Sequence, residues 1–135
     1  MFFLPPGYCV IQFSPDRSTF SRYEGFLKNG KFNGHGVMFA KDGSNYDGQW
    51  KNARMHGFGV RTFSPSSPFL KFEGLHEEGF PMGKGTLFFK NGERHVGQFC
   101  HYFLHGYGVK YSTEGRIVEQ GDFVNDVWDR KALAA

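Results

Sequence analysis

The chain has 135 residues, with 16 Lys and Arg against 13 Asp and Glu for a formal net charge of +3, and no basic run is longer than Arg130-Lys131. Its 17 Phe, 6 Tyr and 2 Trp outnumber its seven Leu, eight Val and two Ile, and 19 residues are Gly. Five Ala and so much Gly exclude an all-α fold, the aromatic load excludes disorder, the diffuse charge argues against nucleic-acid binding, and the length suits one β-rich domain.

In chain order, Met1 to Gly7 lacks the basic start and apolar centre of a signal peptide, which reads as an intracellular chain with Cys9 and Cys100 reduced. Residues 8–22 read as a half repeat, because Phe13-Ser14-Pro15 before Tyr23-Glu24-Gly25 echoes Phe63-Ser64-Pro65 before Phe72-Glu73-Gly74. Four full units follow, at 23–45, 46–71, 72–94 and 95–118, and 119–125 is a lone first strand. Their anchor glycines, Gly25, Gly48, Gly74, Gly97 and Gly121, are spaced by 23, 26, 23 and 24 residues. Past each anchor comes a Gly-x-Gly pair: Gly34/Gly36, Gly57/Gly59, Gly83/Gly85 and Gly106/Gly108. Turn glycines follow in Asp42-Gly43, Asn91-Gly92 and Glu114-Gly115, while the second unit carries the longer stretch Ser64–Leu70, expected as an exposed loop.

Within a unit the pattern alternates. Tyr46, Gly48 and Trp50 share one strand face and Asp47 and Gln49 the other; on the next strand Gly57 and Gly59 oppose Phe58, Val60 and Thr62. Each unit is therefore a β-hairpin, and the units form one antiparallel meander. Glycine inside a strand admits the close approach of a ring or another backbone, so the glycine columns are expected to lie under the aromatic anchors. Residues 126–135, the one Ala-rich stretch, are expected to form a short helix capped by Asn125 or Asp126, with Trp128 and Leu133 covering the last strand.

The pattern Tyr-x-Gly-x-Trp-x-x-Gly-x-x-x-Gly-x-Gly resembles the MORN repeat (membrane occupation and recognition nexus). The resemblance implies an elongated, twisted, single-layer antiparallel sheet of stacked hairpins, curved so that one face forms a groove. It also implies a cytoplasmic scaffold or binding module of the kind found in cytoskeletal, motor and ciliary assemblies. Leu27 and His76 stand where the family prefers Trp or Phe, Ala53 and Tyr102 replace the mid-unit Gly, and His95 replaces an anchor Tyr.

No catalytic constellation emerges. Gly79 to Thr86 resembles a phosphate loop, but it is one residue short, has Gly85 where Ser or Thr should follow Lys84, and precedes a strand. His56 and His105, two units apart, would lie roughly 19 Å from each other and cannot share an ion, and His95, His101 and His105 lack a Cys or carboxylate at ligand spacing. The reading is a non-enzymatic module without metal or cofactor. Its partner-binding groove is expected to be lined by Tyr23, Tyr46, Trp50, Phe72 and Phe99 and by the paired glycines Gly34/Gly36, Gly57/Gly59, Gly83/Gly85 and Gly106/Gly108. The expected occupant is a helical or extended protein segment. The alternatives are an anionic phospholipid surface, met by basic residues such as Lys28, Lys51, Arg54, Arg61, Lys71, Lys84 and Arg94, or a place as the repeat portion of a larger enzyme.

Overall fold

A computed structural model describes residues 5–128, and every regular element among them is a strand. These are β1 (Tyr8–Gln12), β2 (Phe20–Lys28), β3 (Lys31–Ala40), β4 (Asn45–Lys51), β5 (Arg54–Thr62), β6 (Phe69–Glu77), β7 (Phe80–Phe89), β8 (Arg94–Cys100), β9 (Phe103–Tyr111), β10 (Ile117–Val124) and β11 (Val127–Trp128). Each pairs with its chain neighbours in one sheet ordered β1 to β11.

One row fixes the register of the sheet. Gly25 pairs with Gly36, Gly36 with Gly48, and so on through Gly59, Gly74, Gly85, Gly97 and Gly108 to Gly121, an unbroken line of glycine across β2 to β10. Rings occupy the space this row leaves. A Cβ on Gly36 would fall inside the Tyr23 ring, one on Gly59 inside the Tyr46 ring and one on Gly85 against Phe72. Burial of Tyr23, Met38, Tyr46 and Trp50 makes one core cluster, and Phe72, Leu87, Phe99, Leu104 and Phe123 make a second. Both lie on the same side of the sheet, so a single layer builds its core from rings laid flat on its own backbone.

The first glycine of each Gly-x-Gly pair does something else. Gly34, Gly57, Gly83 and Gly106 have φ of 84°, 86°, 95° and 107°, and each sits beside a break in the pairing of its hairpin. That is a bulge, which needs the left-handed region and sharpens the local twist. A bulge frees carbonyls, and the tyrosines collect them: the Tyr23 hydroxyl donates to the Phe26 carbonyl at 2.8 Å and the Tyr46 hydroxyl to the Gln49 carbonyl at 2.9 Å. Ring, paired glycine and bulge are thus one device.

The expected C-terminal helix is overturned in its described part. Asn125 and Asp126 take φ of 48° and 70°, the same left-handed pair seen at Asn29-Gly30 and Asn52-Ala53, and this turn leads into β11 instead of a first helical turn. Asp126 does cap, but it caps a strand: its N–H donates to the Leu104 carbonyl at 2.8 Å and its carboxylate accepts from the Leu104 N–H at 2.9 Å. Trp128 pairs with Phe123 and packs against the second core cluster from the strand. β-formers at 127 and 128 continue the hairpin rule. Residues 129–135, the rest of the expected helix, lie outside the described residues.

The expected loop at Ser64–Leu70 is shorter at its end, because Phe69 and Leu70 already belong to β6. It is also fastened. The Lys90 ammonium donates to the carbonyls of Ser64 at 2.8 Å and Pro65 at 2.7 Å and to that of Ser67, and Lys41 does the same to Ser14 and Pro15 in the equivalent loop of the half repeat.

Two glycine substitutions separate space from backbone strain. Gly59→Val should destabilise the chain by about 3 kcal/mol, since the Tyr46 ring has nowhere to go. Gly30→Ala should cost about 1 kcal/mol, because a Cβ there meets nothing within 4 Å and only its φ of 75° opposes it. Chemical denaturation of both variants checks the ranking.

Candidate functional site

The thirteen residues expected to line a groove fall into three groups. Tyr23, Tyr46, Trp50, Phe72 and Phe99 are buried core side chains. Gly36, Gly59, Gly85 and Gly108 lie beneath core side chains, and Gly34, Gly57, Gly83 and Gly106 form the bulges. A partner is therefore not what the glycine row accommodates; the chain's own rings fill it. Burial is the main reason that the Tyr23 phenol is pushed up to about 12, and it raises Tyr46 further.

Among the described residues, uncovered surface includes a trough, a hollow and a cleft. On the face away from the rings, Phe58, Leu75 and Tyr107 stand in a row beside Val96 and Val109 and line an open trough of about 550 Å³. Phe58 is 57% and Tyr107 53% exposed, so this is apolar surface in water. The same face carries a second row in which cations lie on rings, Arg22 over Phe39 at 4.3 Å, Lys71 over Phe88 at 4.9 Å and Arg94 over Tyr111 at 4.1 Å. These pairs use up part of the basic charge expected to face a partner.

The ring face holds a partly enclosed hollow of about 280 Å³. Its walls are Phe20, Phe32, Met38, Tyr46, Trp50 and Met55, its small residues are Ala40, Ala53 and Gly79, and Arg54 and Arg61 stand at its polar side. Trp50 is held in the wall by an indole N–H donated to the Gly36 carbonyl at 3.0 Å and by edge contacts with Tyr23, Phe32 and Tyr46. Arg61 lies near the Phe63 and Tyr102 rings and donates to the Tyr102 hydroxyl. Of the thirteen expected residues, only Tyr46 and Trp50 reach this hollow.

A cleft of about 790 Å³ lies at the turn edge of the same units, lined by Lys28, Lys31 and Lys51 with Asn29, Asn33, Gln49, Asn52 and His56, and reached also by Gly34, Gly57 and Trp50. Arg54 borders a smaller recess with Lys51, where it pairs with Glu78. In sequence these cations look scattered. Lys28 pairs with Lys31 and Lys51 with Arg54 across their own turns, and the pairing of β3 with β4, Gly34 opposite Trp50, sets the two turns side by side.

His76 marks a polar group inside the core. It stands where the other units place Trp50 and Phe99, 3% exposed, edge-on to the Tyr46 ring at 5.0 Å and the Phe72 ring at 5.4 Å. Its Nδ1 lies 3.1 Å from the Gly74 carbonyl, while Nε2 is buried without a hydrogen bond. Burial lowers its pKa, so the folded chain holds it neutral where the unfolded chain, near 6.5, is already charging. The unfolded state then binds more protons, and stability falls as pH drops below about 6.5. His76→Phe should remove that fall and add about 1 kcal/mol at neutral pH, since it replaces an unpaired buried nitrogen by a ring edge. Melting temperatures of parent and variant from about pH 7.5 to 5.5 decide it.

Among the described residues no group of three or more His, Cys, Asp or Glu is placed to hold a metal ion. The model of the family described as MORN repeat matches residues 23–45, 46–67 and 72–94. Those spans contain the first three ring-and-glycine hairpins, and β8 with β9 repeats the same register beyond them.

Proposed function

Because the chain belongs to the MORN repeat family, whose repeats serve as interaction modules, we propose that it is a scaffold that binds a segment of a partner protein through the ring-face hollow. The observation that carries this is the hollow itself: about 280 Å³ left open on the ring face among apolar side chains, where the second core cluster packs its rings. Open apolar volume of that kind marks a binding site more often than a packing defect. Tyr46 and Trp50 of the expected groove belong to it, and the remaining ring and glycine residues hold its walls in register. Partners of the cytoskeletal, motor or ciliary type are the first to test, on the strength of the family resemblance.

The test is affinity capture from cell lysate, run beside sedimentation with vesicles containing anionic phospholipid. Met55→Glu puts a carboxylate in the hollow and Phe58→Asp puts one in the opposite trough; both are checked for an unchanged fold by melting temperature. The expected result is a reproducible set of captured proteins that is lost with Met55→Glu and kept with Phe58→Asp. Loss with Phe58→Asp alone would move the site to the trough. Salt-sensitive vesicle binding without any protein capture would replace this reading by a lipid-surface one.

A further inference from the structure

We propose that the hollow is a socket for one aromatic side chain of a partner segment whose flanking residues are acidic, an inference that rests on the interaction-module reading above. The argument begins with an alignment of the chain on itself. Residues 20–62 align with 69–111 at an offset of 49, as in Tyr23/Phe72, Lys41/Lys90 and Trp50/Phe99. The backbone follows the same offset: the Ala40 N–H donates to the Ser44 carbonyl and the Phe89 N–H to the Glu93 carbonyl, each at 2.9 Å.

Wall by wall, the hollow is therefore a place the chain builds twice. Phe20, Met38, Trp50 and Met55 correspond to Phe69, Leu87, Phe99 and Leu104. In the second copy the space is filled. Phe89 packs against Phe69 at 5.3 Å and His95 at 4.8 Å, while Tyr102 lies over Phe63 at 5.4 Å and Phe72 at 6.2 Å. In the first copy the residues at these two positions are Ala40 and Ala53. The first copy adds the Phe32 ring where the second has Pro81, and the hollow is the part of the space filled by Phe89 and Tyr102 in the second copy that Phe32 leaves open in the first. A ring supplied from outside finds Phe20 and Tyr46 there, the counterparts of the Phe69 and His95 that Phe89 packs against two units on.

Charge decides what accompanies the ring. Arg54 and Arg61 border the hollow, and Arg54 leads to Lys51 and so to the cleft that Lys28 and Lys31 share. Glu78 pairs with Arg54, and Arg61 has spent one donor on the neutral Tyr102 hydroxyl. A segment running from the hollow toward the turn edge meets an excess of cations, which complements carboxylates and repels basic sequence. A walled space of this size accepts a side chain; a flat bilayer has none to offer it.

The probe is a synthetic peptide with one central tyrosine flanked by glutamates, compared with peptides carrying alanine at the centre or lysines at the flanks, and with anionic vesicles. Binding to the full chain is read by calorimetry and by tryptophan emission, since Trp50 forms part of the wall. Each peptide change should weaken binding by about tenfold or more. Ala40→Phe should abolish peptide binding and raise the melting temperature, because it closes the socket as Phe89 does. Charge reversal at Lys51 and Arg54 together should weaken binding with the fold intact, and Phe58→Asp should leave it unchanged. Binding that ignores the central tyrosine or survives Ala40→Phe overturns the socket, as does failure of the peptide to bind at all. If the peptide fails while captured proteins still depend on Met55, the interaction module stands without the socket; if capture fails too and only vesicles bind, both readings fall.

Discussion

Everything in this sheet depends on the contact between an aromatic ring and a glycine pair lying directly under it. A single-layer sheet has no second layer to bury its apolar face against, so it must find its core elsewhere. Here the ring of Tyr23, Tyr46 or Phe72 lies down across its own hairpin, which requires that the two backbone positions beneath it carry no Cβ. Because the next hairpin has the same requirement, the glycines align from β2 to β10, and the register of the whole sheet is set by steric exclusion. A slip of one residue would put side chains under every ring. The bulge glycine and the tyrosine hydroxyl complete the unit, one bending the strand and the other satisfying a carbonyl that the bend releases.

This explains which parts of the molecule were legible in the sequence. Strand order, hairpin boundaries and the placement of rings over glycine follow from spacing alone, because spacing is what the steric rule acts on. Surface that remains after the rings are placed does not follow, since Tyr46 and Trp50 read identically whether they fill a core or line a groove. The hollow is written in two alanines, Ala40 and Ala53, whose meaning appears only when they are set against Phe89 and Tyr102 two units on. The basic cleft was hidden for a related reason: Lys28 and Lys31 lie about twenty residues from Lys51 and are set beside it by the pairing of β3 with β4. Composition misled at 126–128, where a helix was expected to begin while Asn125-Asp126 had the left-handed turn of Asn29-Gly30 and Asn52-Ala53.

The two halves of the sheet divide labour. From β6 onward the ring face is closed by Phe89, Tyr102 and Trp128 around Phe72 and Phe99, and the last turn is tied to β9 through Asp126. Burial acts to raise the Asp126 carboxyl, but the His95 ring 3.7 Å away, the hydrogen bond from the Leu104 N–H and nearby Lys110 outweigh it and hold the group below its ordinary range. This half is built as an end cap. The β2 to β5 half keeps the same backbone but omits two rings and gathers cations at its turn edge. In a sheet whose strands pair only with their chain neighbours, such an omission leaves the backbone pairing of the other hairpins intact.

That locality is what makes a repeat sheet usable as a binding surface at all. Opening a hollow in a closed three-dimensional core removes contacts from many elements at once, and the structure relaxes into part of the space. Here the walls are fixed from below by glycine pairs that cannot shift without moving an entire row, so Ala40 and Ala53 leave a hollow that stays open. Its rim is equally constrained: Ala53 holds the left-handed turn at φ of 69°, and its N–H donates to the Phe32 carbonyl at 2.9 Å, tying the edge of one hairpin to the next. A ring entering from a partner therefore meets a preformed site and loses little free energy to reorganisation of the sheet. The same steric rule that lets one layer of strands fold without a second layer thus keeps an unfilled position in shape.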